Sequence, residues 1–99
     1  MSVSLLLKAV GSDTTGQETA LRVIGAREPP SKMTIQIAVT GTAHVQIQGR
    51  IARDAPWLDI GPGHSASALL YIDPVQFLRA VAEKVGSGAT VSVWAVWAW

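Results

Sequence analysis

Hydrophobic and polar residues alternate along most of this chain, and the alternation is clearest from Met33 onward. Met33, Ile35, Ile37 and Val39 fall on one side while Thr34, Gln36, Ala38 and Thr40 fall on the other, the period of a half-buried strand. After Gly41-Thr42 the pattern resumes, with Ala43, Val45, Ile47, Gly49 and Ile51 opposite His44, Gln46, Gln48, Arg50 and Ala52. Val3, Leu5, Leu7 and Ala9 against Ser4, Leu6, Lys8 and Val10 predict a first strand, closed by the turn-forming run Gly11 to Gly16. Ala20 to Ile24 is a second candidate, and the loop after it holds Pro29-Pro30, which forbid continued pairing on that side. Trp57–Ile60 and Ala66–Ile72 read as two further strands, bounded by Pro56, Gly61-Pro62-Gly63 and Asp73-Pro74.

Two stretches are less simple. Val75–Val85 has helix signals, since Asp73 suits an N-cap, Pro74 the first helical position and Gly86 the closing glycine. The same residues also alternate, Phe77, Arg79, Val81 and Glu83 against Leu78, Ala80 and Ala82, so local signals fit helix and strand equally. The final strand, Ala89–Trp99, is apolar on both sides: Val91, Val93, Ala95, Trp97 and Trp99 on one, Trp94, Val96 and Ala98 on the other. One core cannot take both faces. Trp94, Val96, Trp97 and Trp99 are therefore candidate protein-interface residues, because such a strand left at an open edge invites aggregation and Trp is enriched at interface hot spots. The alternative is that Trp97 and Trp99 pack back on their own domain.

At 99 residues the chain encloses one core, so the expectation is a single all-β domain over residues 1–99. Charged residues are 15% of the chain and hydrophobic ones 48%, which argues against disorder and leaves little charge to cover the surface. That balance favours oligomers. The formal charge is +1 with the basic residues scattered, which gives no footprint for nucleic acid. There is no cysteine, which removes disulfides, thiolate metal sites and thiol nucleophiles together. No signal peptide and no membrane-spanning stretch of about 20 apolar residues is read, and the chain is expected to be soluble.

Candidate chemistry is sparse. His44 and His64 have no carboxylate or second histidine at ligand spacing, so no metal site is expected. Asp54, Asp59 and Asp73 stand where turns need them, and Ser65 and Ser67 lack the Gly-x-Ser-x-Gly elbow of a nucleophile. Neither Gly61-Pro62-Gly63 nor Gly86-Ser87-Gly88 ends like a phosphate loop, and the second is expected to turn a hairpin. No catalytic residue and no cofactor is expected. Trp57, beside Asp54 and Asp59, is a possible ligand contact as a sugar-stacking platform; the other reading makes it an anchor of the inter-sheet core.

Several segments together resemble a family. Thr40 to Arg50, then Asp54 and Trp57, then Phe77-Leu78-Arg79-Ala80, then Gly88 to Trp94 are similar to a layout found in small β-sandwich virion proteins of tailed bacteriophages, among them capsid decoration or cement proteins. The resemblance covers roughly residues 40 to 94 and departs from the layout at Ala55-Pro56, where a glycine is expected, and at the Trp-rich end. It implies an antiparallel β-sandwich or jelly roll, about 7–8 strands, with a strand at Phe77–Val85. It also implies a structural virion protein at the capsid surface, a homotrimer seated on the major capsid protein and bridging capsomers; the sparse chemistry, the hydropathy and the scattered charge add the expectation of no enzymatic activity and no membrane or nucleic-acid partner. A carbohydrate- or receptor-binding module of a tail fibre or spike, using Trp57, is the alternative. If the C-terminal strand is an assembly edge, removing residues 95–99 should reduce the oligomer to monomer.

Overall fold

The computed structural model describes residues 2–20, 32–73 and 75–98. The expected strand end at 21–24, the loop at 26–31 and Trp99 lie outside the described residues. Those described form nine strands: β1 (Ser2–Val10), β2 (Thr14–Thr15), β3 (Thr19–Ala20), β4 (Lys32–Thr40), β5 (His44–Arg50), β6 (Leu58–Asp59), β7 (Ala68–Ile72), β8 (Phe77–Glu83) and β9 (Thr90–Ala98). The fold is all-β, as the alternation predicts.

Two antiparallel sheets share the strands. Sheet A has the order β1-β9-β4-β7; sheet B has β2-β8-β5-β6, with β3 also paired to β8. Because β2 and β3 pair with opposite ends of β8, they act as one interrupted edge strand. Counted so, the chain is a long antiparallel ribbon, β1 with β9, β2/β3 with β8, β4 with β7 and β5 with β6. Rolling that ribbon brings β4 beside β9 and β5 beside β8. This is the winding of an eight-stranded jelly roll.

The core lies between the sheets. Met33, Ile35, Ile37, Val91, Val93, Ala95 and Trp97 come from sheet A, and Val45, Ile47, Leu78, Ala80 and Ala82 from sheet B. Every second residue of β5 is buried and the residues between are half-exposed, the pleat expressed as burial. Phe77–Glu83 is strand, as the resemblance implies. Leu78, Ala80 and Ala82 fill the interior, and β8 is paired on both sides, by β5 and by β2/β3, so sheet pairing overrides the local helix signals.

Four local expectations are corrected. Strict alternation in β1 fails because its register against β9 shifts between Leu5 and Leu7 and again before Val10. The first shift buries both Leu6 and Leu7 and leaves Leu5 outside, the work of a bulge that puts an extra residue into one strand. Ile51, expected inside, is 75% exposed, because the chain leaves the sheet after Arg50. Gly86-Ser87-Gly88 turns no hairpin; it carries the chain from β8 in sheet B to β9 in sheet A. Nor is β9 an edge: it is hydrogen-bonded between β1 and β4.

Candidate interaction surfaces

The central place of β9 sorts its tryptophans. Trp97, paired with Met33, points inward and is 8% exposed, while its Nε1 finds no hydrogen-bond partner among the described residues. Trp94 and Val96 point outward. On that outer face Leu5, Trp94, Gln36 and Leu69 stand in one row across the four strands, and Val96, Thr34 and Tyr71 in the next. Leu5 is 44% exposed, Trp94 36%, Leu69 56% and Tyr71 78%, and neither row contains a charged residue. Between them lies a shallow depression of about 330 Å³ lined by Thr34, Gln36, Leu69, Trp94 and Val96.

The outer face of sheet B is its chemical opposite. Arg50 on β5 and Arg79 on β8 both lean over the indole of Trp57, their guanidinium carbons 4.5 and 4.4 Å from the ring centroid. Arg50 and Arg53 also approach the Phe77 ring, at 5.5 and 5.0 Å. Hydrogen bonds complete the cluster. Arg50 donates through Nη1 to the Arg53 carbonyl (2.8 Å) and through Nη2 to Glu18 Oε2 (2.9 Å). Arg79 Nε donates to Gln48 Oε1 (2.8 Å), and Gln48 Nε2 donates to Asp59 Oδ1 (2.9 Å). Trp57 is thus neither a bare platform nor a member of the inter-sheet core. It is half-buried on the outside of sheet B and engaged by two cations.

Arg50 is the hub of this cluster, tying the loop after β5 to the residues before β3. Its planar fork meets an aromatic face and two oxygens at once, which a lysine ammonium cannot reproduce. Arg50→Lys is therefore expected to lower stability by about 1–2 kcal/mol, read as a shift of the urea midpoint at unchanged slope. A midpoint equal to that of the wild type would show that the stack and its hydrogen bonds contribute nothing.

The remaining candidates have structural employment. Ser67 Oγ accepts from the Val39 amide (2.9 Å) and donates to the Val39 carbonyl (3.4 Å), continuing the β4–β7 ladder by one side chain. His64 makes a backbone bridge with Val45 (2.7 and 2.8 Å), and the imidazole of His44 lies against Gly63, where an added Cβ would overlap it. Asp13 Oδ1 accepts from the Val85 amide (3.0 Å), holding the exit of β8. Asp54 and Asp73 are exposed, and the described residues contain no group of three metal-binding side chains. They contain no helix either, hence none long and apolar enough to cross a membrane. The aromatic–arginine cluster was the feature missed in the sequence; its signal was the placing of Arg50, Arg79 and Phe77 on the polar faces of two alternating segments. No protein-family model, curated protein or solved structure compared with this chain matches it.

Proposed function

We propose that this protein is a structural assembly module without chemistry of its own, and that the outer face of sheet A is its contact surface. One observation carries the reading: two adjacent rows crossing that sheet present Leu5, Trp94, Leu69, Val96 and Tyr71 and no charge. Depletion of charge with enrichment of aromatic side chains marks the centre of protein interfaces, and contiguous apolar patches on soluble proteins usually have an occupant. The resemblance over residues 40 to 94 narrows the setting to a tailed-phage virion, as a self-associating decoration or cement protein on the major capsid protein. Jelly rolls recur among viral capsid domains, which agrees with this setting, although they recur among lectins as well.

The test is a charge on the face. Trp94→Lys puts an ammonium at the centre of the patch while leaving every core residue in place. The expected result is a self-associating wild type that co-sediments with capsids and a variant that no longer does, with the thermal midpoint little changed. A wild-type monomer that also fails to bind capsids would overturn the reading. The glycan-binding alternative has less to stand on, since two guanidiniums already occupy the Trp57 ring. Glycan-array binding abolished by Trp57→Ala would restore it.

A further inference from the structure

Sheet A ends in β1 on one side and β7 on the other, and the two edges are built differently. Along β1 the register breaks twice, Ala9 takes a φ of 44° and Lys8 is exposed. Bulges and lysines are the devices that keep an edge strand from pairing with another chain. None is present in β7. Ala68-Leu69-Leu70-Tyr71-Ile72 pairs with β4 through five consecutive residues without a shift, contains no charge and no proline, and has no strand on its other side among the described residues. Beside this edge runs an open hollow of about 610 Å³, lined mainly by apolar residues, Ile60, Leu70, Ile72 and Val75 among them, together with His64 and Asp73.

We propose that β7 pairs antiparallel with β7 of a second copy about a two-fold axis, joining two A sheets into one sheet of eight strands. The proposal rests on the reading above that the chain self-associates. A second copy fits because the strand is complementary to itself. With the register centred on Leu70, Leu70 meets Leu70, Leu69 of each copy stands opposite Tyr71 of the other, and Ala68 stands opposite Ile72. The outer pair is aliphatic with aromatic and is made twice, a favourable cross-strand combination, and no like charges meet. Inward-pointing residues of the added strand lie along the hollow. A five-residue strand contact alone falls short of the roughly 1,000 Å² expected of a specific interface, so burial along the hollow has to supply the rest, while the two apolar outer faces become continuous across the junction. The assembly unit is then a dimer, where the resemblance implies a trimer.

Because the chain has no cysteine, introduced thiols report this register directly. Leu69→Cys and Tyr71→Cys replace exposed side chains, and intact folding of each is checked by thermal unfolding. Directly opposed residues have Cβ atoms about 4.5–5.5 Å apart, near disulfide distance, whereas same-residue pairs sit on the longer diagonal. The expected result is a sedimentation mass of two chains, with a mild oxidant cross-linking the mixed variants several-fold more than either alone. An oligomer without that preference, or one of three chains, overturns the β7 pairing and leaves self-association standing. A chain that stays monomeric and cross-links without preference overturns both, and leaves the edge to a strand of a different protein.

Discussion

Replacing Trp97 with alanine is expected to cost about 3–5 kcal/mol, the range for truncating a large buried aromatic side chain, while Trp94→Ala stays within about 1 kcal/mol of the wild type. The two residues are three apart on one strand and belong to one residue type, so only their faces separate them. Trp97 belongs to the buried inter-sheet core beside its strand partner Met33; Trp94 is among the exposed large apolar residues of sheet A. A loss of 3–5 kcal/mol is about a fifth or more of the typical stability of such a domain, so the midpoint in urea should fall far enough to be unmistakable. Trp97→Phe should retain most of the lost stability, since it keeps an aromatic volume and removes an indole N–H that has no partner among the described residues. Equal effects of alanine at 94 and 97 would mean that the assigned faces of β9 are wrong. The same geometry disposes of C-terminal truncation as a test of assembly: removing residues 95–99 takes Ala95 and Trp97 out of the core, and the domain unfolds whatever its oligomeric state.

The parts of this fold that were legible in the sequence are those governed by short-range periodicity. The alternation of Met33 to Val39 and of Val45 to Gly49 is the burial pattern of β4 and β5. What was not legible depends on who sits beside whom. β9 was readable as apolar on both faces, yet its central position follows from pairing with β1 and β4, fifty or more residues away in the chain. The bulge that buries Leu6 and Leu7 together adds one residue against β9, and the sequence of β1 read alone shows a single alternation through Leu5 and Leu7 with no sign of the extra residue. For residues 75–85 the helix signals at Asp73, Pro74 and Gly86 are real local preferences that sheet pairing outweighs. The candidate surface divides in the same way. Trp94 and Val96 were visible as surplus hydrophobicity, but Leu5, Leu69 and Tyr71 join them only through the register of four strands.

A methyl group at Gly16 tests the other side of the sandwich, and Gly16→Ala is expected to destabilise by about 2–3 kcal/mol. Gly16 lies between β2 and β3, where the interrupted strand runs close to both sheets, and its amide donates to the Ala80 carbonyl at 2.8 Å. A Cβ there would stand 2.6 Å from the Leu6 carbonyl oxygen, 3.0 Å from that of Ala80 and 3.1 Å from Leu7 Cδ2. The first two are backbone atoms, each fixed within its own strand, so relief requires β2/β3 to move away from β1 or β8 and strain the bond to Ala80. Gly63→Ala is the matched control. Its Cβ also meets an occupied position, but the obstacle is the half-buried imidazole of His44, which can swing toward solvent, so the cost should stay under about 1 kcal/mol. Urea midpoints ordered with Gly16→Ala well below Gly63→Ala support the close approach of the interrupted strand to both sheets. Near-identical midpoints would place β2 and β3 farther out than 2.6 Å allows, and the paired edge they give sheet B would then be open like β7.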